Sequence, residues 1–299
     1  MEHVLRRLDL TSLPDDRTLR ALLPRPAVDV DAALPAVAEL VRDVRERGEA
    51  ALVEQAERFD RVRPAAVRVP EAEITGALAS LAPEVREALE TAIARVRVGS
   101  AAQVPPPSRV ELAPGAVVEL RWQPVDRVGL YVPGGKAVYP SSVVMNVVAA
   151  QAAGVASIAV ASPAQAEHGG LPHPTILAAC ALLGVDEVYA MGGAGAIAAL
   201  AHGVAGIGLD AVDVVTGPGN VFVAAAKRLV SGVVRVDSEA GPTEILVIAD
   251  ASADAELVAA GGNYARLWRI QNAYAHELAE HEHVDSAAPT TEIGAAELA

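Results

Sequence analysis

Three glycine-rich turns hold the residues best placed to do chemistry: residues 131–142 (YVPGGKAVYPSS), 191–198 (MGGAGAIA) and 216–228 (TGPGNVFVAAAKR). Turns without side chains let backbone N–H groups approach a phosphate or carboxylate, above all where a helix begins. Gly193, Gly195 and Ala198 fit a loose G-x-G-x-x-A, and Ser141 or Ser142 is placed to cap the helix of its segment. Taken singly, each turn is explained as well by a tight strand-to-helix connection as by a ligand. A fourth segment, AHELAEHEH at 275–283, has metal-ligand residue types. His276 and His281 are five apart, not the four that place two histidines on one helix face, so the spacing predicts a solvated acidic helix end and no metal site. Cys180, the only cysteine, lies in the apolar run TILAACALLG and reads as a small buried core residue. His168, His173 and His202 adjoin Gly or Pro in connections and are expected on exposed loops.

The elements that position these turns follow from periodicity. Residues 29–59 show apolar positions at helical spacing, broken at Gly48, which predicts two amphipathic helices. A second helical region covers 71–98. Residues 103–127 open on Pro105, Pro106 and Pro107 and continue with alternating apolar positions, a linker and a β-hairpin. From residue 127 short apolar strands alternate with helical runs, the pattern of an α/β fold with a parallel sheet whose strands are nearly uncharged because helices cover both faces. At Gly261 the texture changes, with Gly261, Gly262 and Asn263 stopping a helix that has just begun, and the end of the chain reads as a disordered tail.

Composition bounds the partners. The 299 residues carry 38 acidic against 24 basic side chains, a formal net charge of −14, and the basic residues are scattered, which excludes a phosphate-tracking nucleic-acid surface. Residues 137–166 and 188–209 lack Asp, Glu, Lys and Arg, yet Pro140, Pro163, Gly192 and Gly203 interrupt them, so no membrane span is expected. The first 16 residues, MEHVLRRLDLTSLPDD, lack the uncharged core of a secretory signal, and a cytoplasmic protein is expected.

Three longer strings, RVGLYVPGGKAVYPSSVVMNVVAAQAAGV, TGPGNVFVAAAKRLV and VDSEAGPTEILVIAD, resemble the histidinol dehydrogenase family in order, spacing and wording, and the resemblance runs from the N-terminal helices to about Ala260. It implies two Rossmann-like parallel-sheet domains, the second inserted in the first. Residues 1–126 would be the N-terminal helical region and part of the first domain, 127–237 the inserted domain, 238–260 the return to the first, and 261–299 a divergent acidic tail that leaves the first domain incomplete. It further implies a cytoplasmic, zinc-dependent homodimer of histidine biosynthesis that uses NAD to oxidise L-histidinol to L-histidine. Carried over motif by motif, Tyr131 in GLYVPGG and Asn220 in GPGN contact the dinucleotide, and Thr243 in AGPTE contacts substrate. For Thr243 a plain capping role is the competing account. Asn272-Ala-Tyr-Ala-His-Glu-Leu278 echoes the family's catalytic segment and places Glu277 at the position of its water-polarising glutamate, with Leu278 where the family has a histidine; Ala279, Glu280 and His281 form an alternative local match.

Two departures qualify the resemblance. Gly195 stands where the family's loop supplies a glutamine to the cofactor. Residues 261–270 read GGNYARLWRI where the family has a helix bearing a zinc-binding Gln-x-x-His, and no such pair is expected anywhere in the chain, so no metal ligands are assigned. The expectation is a C-terminally truncated or divergent member of the family, inactive if zinc cannot be held. The alternative is a non-catalytic dinucleotide-binding or dimer-forming remnant.

Overall fold

Five parallel strands organise the described residues, and their near lack of charge follows from their burial. The computed structural model describes residues 30–134 and 138–238. Within them β3 (Arg127–Tyr131), β4 (Ser157–Ser162), β5 (Val188–Ala190), β6 (Val214–Thr216) and β7 (Arg235–Val236) hydrogen-bond in the order β5-β4-β3-β6-β7. Every neighbouring pair is parallel, with Val128 opposite Ile158 on one side and Val214 on the other. Counted along the chain this is the order 3-2-1-4-5 of a doubly wound sheet, which reverses direction between β3 and β6. The α/β class and parallel sheet expected from the alternation are therefore present.

Helices cover both faces. After β3 and β4 the chain returns through α5 (Pro140–Ala152) and α6 (Pro174–Leu182), which pack with Val128, Leu130, Val160 and Val188. After β5 and β6 it returns through α7 (Gly193–His202) and α8 (Val221–Val230), against Tyr131, Ala159, Ala161, Tyr189 and Val215 on the other face. Two closed faces leave little place for charge on the strands, and the two arginines of this sheet, Arg127 and Arg235, stand at strand starts. Among the described residues no helix is long and apolar enough to cross a membrane. Cys180 is fully buried in the second cluster, as its apolar run predicts, and burial pushes its thiol up to about 12.

The N-terminal helices complete both layers. The apolar stripe of 29–59 becomes α1 (Val30–Arg47) and α2 (Glu49–Gln55), separated at Gly48 with φ of 57°. Val37, Val44, Ala51 and Leu52 share the core of α7 and α8. From Gln55 the helix loosens into a π-helical turn, Ala56–Asp60, closed by Arg61 in the left-handed region with φ of 58°. The run predicted over 71–98 divides into α3 (Glu71–Ala79) and α4 (Pro83–Ala101), because Pro83 starts a new helix at its first position. Their Ile74, Ala77, Leu89 and Ile93 join the opposite cluster. The expected hairpin forms as β1 (Ser108–Ala113) and β2 (Ala116–Leu120), antiparallel with Val110 opposite Val118.

Three local expectations need correction. Neither Ser141 nor Ser142 caps α5: the helix opens on Pro140, Tyr139 holds the cap position without a side-chain bond, and both serines lie inside the first turn. His168, His173 and His202 are half-buried rather than exposed. His173 Nδ1 accepts the Thr175 N–H at 3.1 Å and so caps α6, while its ring meets that of His168 edge to face at 4.6 Å. A short polar ring beside a helix start satisfies a free N–H, which a pattern of flanking Gly and Pro does not reveal.

Candidate functional site

A cavity of about 580 Å³ opens at the carboxyl ends of the strands, where doubly wound sheets bind their ligands. Its floor is built by three strand ends: Tyr131 and Gly134 after β3, Pro163 after β4, and Met191 to Gly195 after β5. Asn220 and Phe222 at the start of α8 form one wall. The other comes from α1, α2 and the π-helical turn, with Glu39, Gln55, Arg58, Phe59 and Asp60.

Two of the residues singled out in the sequence meet here. Tyr131, the last residue of β3, is buried, and its Oη accepts the Gly193 N–H at 3.2 Å. Burial pushes its phenol above the ordinary value, with the Asp60 carboxylate adding to the rise and the Gly193 N–H opposing it. Asn220 has a structural duty as well: its Oδ1 accepts the N–H groups of Phe222 at 3.0 Å and Val223 at 3.3 Å, so it is the N-cap of α8. With Oδ1 so engaged, the Nδ2 amide is the donor Asn220 can offer a ligand. Thr243, Glu277 and the pair His276 and His281 lie outside the described residues.

The loop before Asn220 is locked by a buried cation. Lys227 on α8 is 2% exposed; its Nζ donates to the Gly217 carbonyl at 2.5 Å and to Asp237 Oδ1 at 2.6 Å, while Asp237 Oδ2 accepts the Gly217 N–H at 3.0 Å. Gly217 itself has φ of 125°, and a Cβ there would fall 2.0 Å from the Tyr131 carbonyl oxygen. Only glycine fits where the β6 loop crosses the end of β3, and that loop carries Asn220 to the cavity that Tyr131 also lines.

The G-x-G-x-x-A turn is a helix start rather than a loop. Gly192 is the cap of α7 without a side-chain bond, Gly193 has φ of 55°, and Gly195 already lies in the first turn, buried. The Gly193 N–H is taken by Tyr131 Oη, and those of Ala194 and Gly195, which have no acceptor inside the helix, stand at the cavity wall with the positive end of the helix dipole. A Cβ on Gly195 would fall 2.6 Å from Gln55 Oε1. The carboxamide of Gln55, whose Nε2 donates to the Leu40 carbonyl at 3.1 Å, thus occupies the space beside residue 195. An amide stands at this spot after all, reaching in from α2.

Sequence reasoning missed Gln55, Asp60, Phe59 and Phe222. Asp60 Oδ2 lies 3.3 Å from where a Cβ of Gly192 would be, and burial pushes its pKa up to about 6. The signal for the two phenylalanines was countable: the chain has only two, and both line this cavity. A Gln-x-x-His spacing does occur, at Gln165 and His168, but on a short 3₁₀ turn where Gln165 Nε2 faces Gly134 and His168 faces His173. Among the described residues no group of three His, Cys, Asp or Glu side chains could hold a metal ion.

Comparison with known proteins points one way. The family model described as histidinol dehydrogenase matches residues 23–261. The histidinol dehydrogenase of Leifsonia xyli subsp. xyli is 65% identical over 257 residues, covering 86% of this chain and 59% of that protein. That of Thermobifida fusca is 58% identical over 260 residues, covering 87% and 58%. The crystal structure of histidinol dehydrogenase from Elizabethkingia anophelis superposes with a TM-score of 0.72 at 31% identity, covering 83% of this chain and 56% of that one. The chain thus spans less than two thirds of the length of these relatives.

Proposed function

The chain belongs to the histidinol dehydrogenase family, and we propose that its cavity is the NAD site of an oxidoreductase of histidine biosynthesis that converts L-histidinol to L-histidine. One observation carries this reading: Tyr131, Asn220 and the first turn of α7 converge on a single cavity at the point where the sheet reverses direction. The residues present fit a dinucleotide. The α7 N-terminus offers N–H groups and a positive dipole end to a pyrophosphate, and Asn220 Nδ2 offers a further donor. Lys227, through Gly217, holds the Asn220 loop in place. NAD, when bound, supplies the hydride acceptor; the protein's part is to bind and orient it. Thr243 as a substrate contact, Glu277 as the water-polarising group, the homodimer and the inserted-domain arrangement belong to this same proposal.

Zinc stands differently. The described residues do not fit a metal centre. A second reading, dinucleotide binding without turnover, is favoured by the sequence GGNYARLWRI at 261–270, which lacks the paired Gln and His of the resemblance. NADH formation from L-histidinol, followed at 340 nm with and without added zinc, separates the two. Zinc-dependent turnover supports the enzyme, and saturable NAD binding without turnover supports the second reading.

A further inference from the structure

Phe59 and Phe222 break the ordinary rule for their residue type. Phenylalanine is among the residues most often buried, and a chain with only two would be expected to spend both in its core. Here Phe59 is 54% exposed and Phe222 48% exposed, and both line the same cavity, one from the π-helical turn and one from the first turn of α8. The rings do not pack on each other; among the described residues the aromatic ring pair is His168 with His173. Each has a neighbour that limits its freedom. The Arg58 guanidinium lies 4.9 Å from the Phe59 ring centroid, and the backbone N–H of Phe222 is fixed by the Asn220 cap. Half-exposed rings lining a cavity are surfaces on which another flat ring can stack.

Resting on the dinucleotide reading above, we propose that Phe59 and Phe222 form an aromatic rim that stacks the adenine base of the dinucleotide. The choice of adenine over nicotinamide follows from exposure. Hydride transfer requires the reacting ring to be shielded from water, and rings that are half exposed mark the mouth of the cavity. The base that stays at the mouth is the one that does not react. Stacking tolerates partial hydration and needs no hydrogen-bond code, which suits a rim with two aromatic side chains.

The test uses the full chain and three probes: NAD, ADP-ribose and nicotinamide mononucleotide, titrated calorimetrically against the unaltered protein, Phe59→Leu, Phe222→Leu and Phe222→Tyr. Leucine keeps apolar bulk and removes the π face. The expected result is a loss of NAD and ADP-ribose affinity of at least about fivefold in each leucine variant, with nicotinamide mononucleotide unchanged and with Phe222→Tyr close to the unaltered protein. Both side chains are exposed, and unchanged melting temperatures identify the loss as local. If NAD binds and the leucine variants bind it unchanged, or lose mononucleotide affinity equally, the adenine rim is overturned while the dinucleotide site stands. If the unaltered chain binds none of the three probes, the dinucleotide site itself fails and the rim with it.

Discussion

Lys227 Nζ meets Asp237 Oδ1 at 2.6 Å from a position only 2% exposed, tying the first helix after β6 to the residue that follows β7. Both groups also bind Gly217, so a single ionic contact fixes the loop that carries Asn220. Removing one partner of such a pair leaves the other without compensation, and here it also strips the Gly217 carbonyl of its donor.

Lys227→Met keeps the length of the side chain and removes the charge. The expected cost is about 2–3 kcal/mol, below the range of about 3–5 kcal/mol for a fully buried pair because the Asp237 side chain is 34% exposed. Urea denaturation measures it. A variant within about 0.5 kcal/mol of the unaltered protein would show that the contact does not hold the loop.

The fit of Gln55 beside Gly195 predicts coupling. Gly195→Ala places a Cβ within 2.6 Å of Gln55 Oε1, so the amide must move. The single substitution is expected to cost about 1–2 kcal/mol by overpacking, and Gln55→Ala to relieve most of it in the double variant. A double-mutant cycle reads the coupling directly. Additive single effects would contradict the packing relation.

Asp60 sets a pH dependence. Its folded pKa of about 6 lies above the unfolded value of about 3.9, because burial disfavours the carboxylate. A raised acid favours the neutral form in the folded protein, so its contribution to stability is fully present below pH ~4 and is lost as pH rises through ~6. Asp60→Asn is neutral throughout. Relative to the unaltered protein it should gain stability across that window and hold a plateau above it, of about 1–2 kcal/mol once partial solvent access is discounted. Thermal melts of both proteins at several pH values from 4 to 8 provide the comparison; a constant difference across that range would show that Asp60 does not titrate as its burial dictates.

How much of this was legible beforehand depends on sequence distance. The break at Gly48, the hairpin and the strands from Arg127 to Thr216 follow from local periodicity, and the structure has them where the pattern puts them, whereas β7, only two residues long at Arg235–Val236, is too short for a period to mark. Tyr131 and Asn220 sit at strand and helix ends, where the turn chemistry marks them. Gln55, Phe59 and Asp60 carry no such mark. They lie at the end of an amphipathic run, and their part in the site arises only when that run folds against Gly192 and Gly195, well over a hundred residues further on. Gly195 likewise looked like a lost glutamine until the packing of α2 supplied its neighbour. Ser141 and Ser142 do not cap α5 because Pro140, with its fixed φ, takes the first helical position ahead of them.

NAD binding at the cavity lined by Tyr131 and Asn220, as proposed, is tested most directly by Asn220→Asp. Aspartate keeps an oxygen for the Phe222 and Val223 N–H groups, so the cap on α8 and the melting temperature are expected to survive. It removes the Nδ2 donor and sets a carboxylate against the pyrophosphate. Calorimetric titration of NAD should show saturable binding to the unaltered chain and at least about tenfold weaker binding to Asn220→Asp, about 1.4 kcal/mol. Equal affinity in the two proteins, or no binding to either at millimolar NAD, would contradict it.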